Sequence, residues 1–442
     1  MCPNFSYNKV ILTILSFGYF VFYFAIVGIS VLAPEIIKDE SIKVNQNDIG
    51  MIIFVSGLVR LPEKLVSGFL ADIFNQKWLY IICGIGKHLF VILFSQSSDF
   101  TQLIIFWSMQ EIIWGPIWPC NVKIINNWFD KYHIATAMGI LNLSYLFGDG
   151  IIRGIIGLLL YYGFYWRTIM LLCGITGIGY LIIVLIFLKN KPTDNYIWIF
   201  CQKKKDEQLV IDSNITDDHS PLLLIPDPTI KNTNFLEIWK KHWKPLIINP
   251  CFWILFFTVS TISFARYTLF YWTPFYLVYV GASDSFAATG SLIFPLAGGI
   301  GALIIGIIDD RMDTEYKKNI VMFIFFVCSS ICLFILWIIQ DQKWQNIPNI
   351  LVMYGLIGFF LLSSYTLPSG VMSIRFGQNC SGNAASLLEF AGGIAMALSG
   401  LMSKIISDNN NWALIWYICH LSSICSVVSL FLFVLINHRM QN

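Results

Sequence analysis

The chain has 442 residues, of which 57% are hydrophobic and only 12% are charged, and its formal net charge is +2. A soluble protein carries about 25% charged residues, so this composition excludes an ordinary soluble domain and predicts an integral membrane protein. The small net charge, with no basic cluster interleaved with aromatic residues, argues against a nucleic-acid partner.

Apolar segments of about 20 residues are long enough to cross a bilayer as helices, and the chain contains two sets of six. We place an N-terminal half at 1–188, a linker at 189–244 and a C-terminal half at 245–442. The expected spans lie near 10–37, 47–72, 78–97, 101–127, 134–161 and 166–188, and then near 248–279, 286–308, 319–340, 348–373, 383–406 and 412–436.

One motif ends an apolar run in each half, about 240 residues apart. Gly68 precedes Asp72 by four residues, and Gly306 precedes Asp310-Arg311 in the same way. We expect each glycine to let a neighbouring helix approach closely, and each aspartate to cap the next helix or to form a salt bridge across the loop. These residues are our candidates for gating, and a duplication of this kind is typical of transporters.

The duplication extends to prolines and tryptophans. Pro34 and Pro274 lie late in the first span of each half, while Trp166 and Trp412 lie at the start of each last span. A proline within a membrane helix frees a backbone carbonyl and permits bending. We therefore predict an all-α membrane protein, with 12 transmembrane helices in two pseudo-symmetric halves around a central cavity.

Lysine and arginine are concentrated in those loops that would place both termini and the linker in the cytosol. The linker is polar, and its Asp218, Leu222 and Leu223 match the acidic dileucine pattern that eukaryotic sorting adaptors recognise. In a eukaryotic host this pattern predicts an endosomal or lysosomal membrane. No cysteines form a CxxC pair and no nucleotide-binding motif occurs, so we expect neither a metal nor a cofactor. We also expect a monomer.

Several motifs resemble those of one family within the major facilitator superfamily, the organophosphate:anion antiporters, which exchange sugar phosphates or glycerol phosphate for inorganic phosphate. The similarity covers both halves but not the linker. It rests on Trp118-Pro119-Cys120, Asn127-Trp128-Phe129 and Gly139-Ile140 in the first half, and on Arg266-Tyr267, Tyr271-Trp272-Thr273-Pro274-Phe275-Tyr276-Leu277, Ala287-Ala288, Gly298-Gly299, Gly301 and Gly306 with Asp310-Arg311 in the second.

The departures from that family concern the substrate. The resemblance implies an arginine in span 1 where this chain has Ile26, and a histidine in span 5 where it has Tyr145, whereas Lys64 and Arg266 match. Two facing arginines suit a dianionic phosphate. One arginine and one lysine suit a monoanion or a carboxylate as well, so the departures leave both kinds of substrate open. We expect Ile26 to face the cavity opposite Arg266.

Charged residues within spans are the candidates for substrate contact, because a charge at the bilayer centre costs about 2.5–3.5 kcal/mol on insertion scales. Arg266 is either one partner of an interhelical ion pair or an anion clamp, and we favour the clamp. Of Arg60 and Lys64, which share a helix face, we expect one to reach the cavity and the other the Asp72 loop. Tyr145, Tyr267 and Tyr271 are candidates to line the cavity.

Other charges have more local explanations. Asp149 and Arg153 are four residues apart and should pair within their helix. Lys87 and Lys123 should extend to the membrane interface. Glu111 and Glu389 have no evident partner on their own helices, so each is either a protonated structural residue or a proton-coupling site.

We therefore expect a secondary transporter for a small anionic solute, coupled by exchange or by protons and embedded in the lipid bilayer. The alternatives are a phosphate or sugar-phosphate antiporter proper and a transporter-like sensor that binds its ligand without moving it. An enzyme is disfavoured because the six histidines are dispersed along the chain.

Overall fold

Helix is the regular secondary structure throughout the residues that the computed structural model describes. These are residues 5–129, 133–192, 248–312, 314–342, 346–367 and 381–441. Most of the predicted linker, including Asp218, Leu222 and Leu223, lies outside the described residues, so the domain boundaries and the sorting pattern stay predictions.

Polar caps begin several helices of the first half. Asn45 and Asp48 form a reciprocal capping box at the start of the second helix, and Asn75 and Asp99 accept hydrogen bonds from backbone N–H groups at the next two. The helices are α1 (Phe5–Lys38), α2 (Gln46–Ile73), α3 (Gln76–Ser95), α4 (Phe100–Trp114), α5 (Ile117–Trp128), α6 (Ile134–Tyr161) and α7 (Trp166–Phe187).

The second half repeats this order after the linker. Asn249 and Ser283 cap its first two helices, and Pro250 occupies the first turn, where a missing N–H costs nothing. The helices are α8 (Pro250–Tyr279), α9 (Asp284–Gly290), α10 (Ile293–Asp310), α11 (Glu315–Asp341), α12 (Ile347–Leu367), α13 (Ser381–Gly400), α14 (Met402–Asn409) and α15 (Trp412–Gln441).

Three of the predicted spans are divided rather than continuous. Span 4 breaks at Gly115-Pro116, span 8 at Ser291-Leu292 and span 11 at Leu401. Ten helical segments of the described chain are long and apolar enough to cross a membrane. The predicted spans 2 and 4 are not among these ten. Span 4 is divided, and the helix of span 2, α2, carries charged residues near its centre.

Corresponding helices pack together in the two halves. In the first half spans 1 and 5, 2 and 4, and 3 and 6 form pairs (α1 with α6, α2 with α4, α3 with α7). In the second half the equivalent pairs are α8 with α13, α10 with α12, and α11 with α15. Between the halves, α2 packs on α13 while α6 packs on α9 and α10. This repeated arrangement confirms the two pseudo-symmetric halves.

The two prolines explain where the halves meet. Pro274 has no N–H to donate to the carbonyl of Phe270, four residues earlier, and Pro34 leaves the carbonyl of Ser30 free in the same way. The two freed turns contact each other, since the Ser30 hydroxyl donates to the Phe270 carbonyl at 2.5 Å. The Phe270 carbonyl, which Pro274 leaves without a helical N–H, therefore takes part in joining α1 to α8.

Arg153 completes this junction. Its Nε lies 2.7 Å from Asp149 Oδ1, so the expected pair within α6 is present. Its remaining N–H groups donate to Ser30 Oγ at 3.3 Å, to Ser291 Oγ at 3.2 Å and to the Phe270 carbonyl at 3.3 Å. One buried guanidinium thus connects both halves through side-chain and backbone acceptors.

Close helix contacts lie at the end of the bundle where α2 begins. A methyl group added at Gly50 would come within 2.5 Å of the Gly400 carbonyl, and one at Gly57 within 2.5 Å of the Ala397 nitrogen. A methyl group at Gly157 would lie 2.9 Å from a backbone nitrogen of α9. Only glycine permits these approaches, so the two halves are closed together at this end.

At the opposite end, where α2 ends, the described residues make no such contacts. A methyl group at Gly68, Gly139 or Gly306 would meet no heavy atom of the described residues within 4 Å. That Gly68 and Gly306 bring a neighbouring helix close therefore stays a prediction. The side chains of Asp72 and Asp310 lie outside the described part of the chain, and their gating role stays a prediction.

A buried carboxylate secures the loop between α1 and α2. Asp39 accepts hydrogen bonds from Ser41 N at 3.0 Å, from Ser41 Oγ at 2.6 Å, from Trp166 Nε1 at 2.9 Å and from the Tyr165 hydroxyl. Arg167 Nε lies 3.4 Å away. Burial alone raises the pKa of the Asp39 carboxyl, but hydrogen bonds from Ser41, Tyr165 and Trp166 outweigh it and hold the pKa below its ordinary value.

Replacing Asp39 with Asn should lower the free energy of unfolding by about 1–3 kcal/mol at neutral pH, because hydrogen bonds to a charged acceptor are lost. Since the folded-state pKa of Asp39 is the lower one, its contribution is complete above the ordinary carboxyl pKa of about 4 and declines as the pH falls below it. Thermal unfolding in detergent at several pH values measures both effects. The exposed Glu40→Gln is the control, and an equal loss in that variant would contradict the assignment.

Replacing Arg153 with Met should cost about 3–5 kcal/mol, because Asp149 is left buried without a cation. Adding Asp149→Asn should recover part of this loss, since no uncompensated charge then remains. Thermal unfolding of the single and double variants tests the pair. If the double variant loses as much free energy of unfolding as the two single variants together, or more, the charges do not interact as described.

Candidate functional site

Arg266 lies in the middle of α8, two turns before Pro274, and is half-buried. Its guanidinium carbon lies 4.3 Å from the centre of the Tyr365 ring and 5.1 Å from that of the Tyr267 ring. Among the described residues no carboxylate lies within ion-pair distance of it. The guanidinium is therefore stacked on aromatic rings while its charge stays uncompensated, which is how a site for an external anion is built.

Tyrosines from both halves surround this guanidinium. Tyr23 of α1 and Tyr145 of α6 stack at 5.7 Å and interact electrostatically with Arg266. Tyr267 and Tyr271 of α8 stack at 6.3 Å. Three of these were predicted to line the cavity, and Tyr145 and Tyr267 adjoin Arg266 directly. Phenolic hydroxyls can donate hydrogen bonds to an anion without adding charge.

Lys64 and Glu389 connect the site across the two halves. Lys64 Nζ of α2 lies 3.9 Å from Glu389 Oε2 of α13. The Tyr365 hydroxyl donates to the other Glu389 oxygen at 3.3 Å, and the Tyr365 ring carries Arg266. Lys64 and Arg266 are thus linked through Glu389 and Tyr365. The lysine and glutamate that the sequence treated as separate candidates lie in one cluster.

Arg60 is a second α2 cation of this site, and the sequence had named it together with Lys64 as one of two residues that could reach the cavity. Its Nε lies 3.6 Å from Glu111 Oε2, and Gln110 donates to the other Glu111 oxygen at 2.8 Å. Its Nη1 points across to the second half and lies 3.3 Å from the sulfur of Met396. A thioether is a weak acceptor, so this charged donor is available to a better one. The spacing of Arg60 and Lys64 on one helix face was the signal.

Ile26 is half-buried and packs with the apolar cluster of the first half, together with Tyr23 and Tyr145. Three residues before it, Tyr23 is the α1 side chain that interacts with Arg266. That Ile26 faces Arg266 stays a prediction. The side chain of Asp72 lies outside the described residues, so the expectation that Arg60 or Lys64 reaches the Asp72 loop stays a prediction. Lys123 donates to the Ala71 carbonyl at 3.1 Å.

The predicted gating residues lie at the end of the bundle where α2 ends. We call this the open end, because the described glycines there make no close contact with another helix. Gly68 and Gly306 are each one turn from the end of α2 and α10, and Arg311 is exposed just after α10. Asp309, which was not predicted, lies 3.6 Å from Lys318 Nζ in the following helix. An ion pair between Asp309 and Lys318 thus spans the turn after α10, and its acid is the residue before the predicted Asp310.

Comparisons with known proteins agree with this architecture. A family model described as the Major Facilitator Superfamily matches residues 15–400. "Putative glycerol-3-phosphate transporter 1" of Arabidopsis thaliana is 25% identical over 378 residues, covering 79% of this chain and 68% of that protein. "Membrane sensor protein UhpC" of Salmonella typhimurium is 23% identical over 310 residues, covering 69% and 65%.

A solved bacterial homologue of the human lysosomal transporter Spinster, described as inward-facing and unoccupied, aligns with a TM-score of 0.64 at 15% identity, covering 97% of this chain and 95% of that one. This likeness concerns the fold. The named relatives confirm the resemblance to the organophosphate:anion antiporter family that the motifs of spans 4 and 7 indicated.

Two parallel substitutions distinguish Arg60, whose acid partner is buried, from Lys64, whose acid partner is partly exposed. Arg60→Met should destabilise the protein by about 3–5 kcal/mol, because Glu111 is only 3% exposed and would lose its cation. Lys64→Met should cost less than about 1 kcal/mol, because Glu389 is 33% exposed and can be solvated. Thermal unfolding in detergent ranks the two variants. Equal destabilisation would mean that Lys64 is a structural ion-pair partner.

Proposed function

The chain belongs to the Major Facilitator Superfamily, and on that premise we propose that it is a secondary transporter that moves a small organic anion by alternating access. The observation that carries this proposal is the guanidinium of Arg266, which lies within the bundle on aromatic rings, with no described carboxylate within ion-pair distance. A charge in a membrane protein without a direct ion-pair partner favours an external counter-ion.

A phosphate ester is the first substrate to test. Relatives are named for glycerol 3-phosphate and hexose phosphate. Arg60, Lys64 and Arg266 face two acids, Glu111 and Glu389, so these groups together carry one net positive charge. This balance suits a monoanion or a carboxylate, and a phosphate dianion requires one further positive charge. Substrate charge is therefore the property that separates a general organic-anion carrier from a phosphate antiporter proper.

Transport requires the closed end to open. The junction of Arg153 with Ser30 and the Phe270 carbonyl must separate while the halves close at the opposite end. Gly68 with Asp72, and Gly306 with Asp310 and Arg311, lie where that closure would occur, and we propose that they gate it. Exchange for a second anion, or a proton on Glu389 or Glu111, supplies the coupling.

A direct test uses purified protein in liposomes loaded with inorganic phosphate, with labelled glycerol 3-phosphate outside. Uptake that depends on internal phosphate supports exchange, whereas uptake driven by an inward proton gradient supports proton coupling. Uptake of a carboxylate but of no phosphate ester would assign the carrier to another substrate class.

A second candidate function is a sensor, because one relative is named as a membrane sensor protein. A sensor would keep the cationic site and bind the same anions. Binding of glycerol 3-phosphate by the purified protein, with no flux in liposomes under any gradient, would favour the sensor.

We also propose that both termini are cytosolic, so that the cavity opens toward the cytosol in this structure, and that the chain acts as a monomer. If the host is eukaryotic, Asp218, Leu222 and Leu223 would direct it to endosomes or lysosomes through a sorting adaptor. Protease accessibility of the linker in sealed vesicles tests the orientation, and Leu222→Ala with Leu223→Ala tests the sorting.

Arg266→Ala should fold and reach the membrane yet lose most transport, because a charge-assisted contact with the anion is removed. Arg266→Lys should also be impaired, since a point charge does not replace the planar fork that binds two oxygens. Initial rates in liposomes, normalised to inserted protein, measure both variants. Transport at the wild-type rate in Arg266→Ala would eliminate Arg266 as the clamp.

A further inference from the structure

A cluster of buried polar side chains lies inside the first half, behind the cationic site. We call it the inner polar cluster. Its members come from four helices, and each is at least nine-tenths buried. Each has side-chain polar atoms that either have no hydrogen-bond partner or are paired only with another member or with Arg60. They are Glu63 of α2, Lys87 of α3, Gln110 and Glu111 of α4, and Asn121 of α5.

Glu63 is the carboxylic acid of this cluster that has neither an ion-pair nor a hydrogen-bond partner among the described residues. It is 7% exposed, and neither carboxyl oxygen makes a hydrogen bond. The carboxyl lies against Gly115, where an added methyl group would overlap Glu63 Oε1. The break of span 4 at Gly115-Pro116 therefore makes the space that this carboxyl occupies. A carboxylate buried without hydrogen bonds is costly, whereas a protonated carboxyl is much less so.

Lys87 is the second unusual member. It was predicted to extend to the membrane interface, but it is fully buried, because α3 turns it toward α4 rather than toward lipid. Its Nζ lies 4.1 Å from the centre of the Trp114 ring and has no hydrogen-bond acceptor. Glu111 and Arg60 are its charged neighbours. Lys87 is therefore held by an aromatic face and does not pair with Glu63.

The charged groups around Glu63 come from every packed helix. On α2 itself they are Arg60 and Lys64, from α4 Glu111 and from α13 Glu389. The other basic groups of packed helices are Lys123 of α5, which is bonded to the end of α2, and Lys404 of α14, at the closed end. Of its cationic neighbours, Arg60 is paired with Glu111, and Lys64 with Glu389 across the halves.

We propose that Glu63 is a proton-binding site, and that binding of an anion at the neighbouring cationic site is accompanied by uptake of one proton there. The proton comes from solvent at the open end and binds one carboxyl oxygen, and no other bond changes. This inference rests on the proposed anion site and names a proton acceptor other than Glu389 and Glu111, each of which has a cation within ion-pair distance.

The coupling follows from charge. An anion that engages Lys64 and Arg60 withdraws their positive charge from Glu63 and adds negative charge close to it, so the carboxyl holds a proton more strongly. By linkage, a proton on Glu63 must strengthen anion binding by the same factor. A proton on Glu63 also removes one negative charge beside the cationic site, which favours the binding of an anion there.

The site itself can be tested without any ligand. In infrared spectra of the purified protein titrated downward from pH 8, the C=O stretching band of a protonated carboxylic acid should grow as the pH falls, and this growing band should be missing in Glu63→Gln. Glu63→Asp keeps a carboxyl and should shift the band, which also covers the case in which Glu63→Gln folds poorly. A wild-type spectrum without this band, or one unchanged in both variants, overturns the proton site.

The coupling is tested by calorimetry with glycerol 3-phosphate at pH 8, where the ester is largely a dianion. Titrations in two buffers of different ionisation enthalpy give the protons taken up per anion bound. Wild type should take up about one proton more than Glu63→Gln, and its affinity should rise up to about tenfold for each unit by which the pH falls. The Glu63→Gln affinity should follow only the titration of the ester.

Glu40→Gln, which changes an exposed carboxyl outside the site, is the control and should retain the proton uptake. Equal uptake in wild type and Glu63→Gln, or loss of uptake only in Glu389→Gln, overturns the coupling to Glu63. Absence of glycerol 3-phosphate binding by wild type, with the infrared band present and dependent on Glu63, would instead count against the proposed phosphate-ester substrate while supporting the proton site.

Discussion

The contact between two proline-freed turns organises this molecule. Pro34 and Pro274 each leave a carbonyl without its helical N–H, and the turns that contain those carbonyls lie against each other through Ser30 and Phe270. Arg153 donates to the Phe270 carbonyl and to the hydroxyls of Ser30 and Ser291. The carbonyl that Pro274 leaves without a helical N–H therefore takes part in joining the halves.

Charge in an apolar bundle is the second constraint, and burial decides what each charge does. Arg153 with Asp149 and Arg60 with Glu111 are deeply buried pairs that hold helices together. The pair between Lys64 and Glu389 is longer and partly exposed, and Arg266 has aromatic neighbours and no described acid within ion-pair distance. The cations with weaker compensation lie toward the second half, where an anion entering from the open end would meet them.

The helices could be predicted to within a few residues from apolar length alone, because a membrane span is a property of consecutive residues. The divisions of spans 8 and 11 could not, because neither Ser291-Leu292 nor Leu401 is a proline, whereas Gly115-Pro116 is a local signal for a break that our continuous span 4 did not use. The sequence also did not show that Gly115 receives the carboxyl of Glu63 from another helix. The close approach expected at Gly68 stays a prediction, because it depends on which end of the bundle is closed.

The sequence by itself determined the membrane class, the number and order of spans, the duplication and the short list of charges that matter, because each depends on local composition or on spacing along the chain. The tertiary structure decided which charges meet: Arg60 with Glu111, Lys64 with Glu389, and Lys87 over Trp114. Those partners are far apart in sequence, and whether a charge is compensated depends on distances of a few ångströms that only helix packing sets.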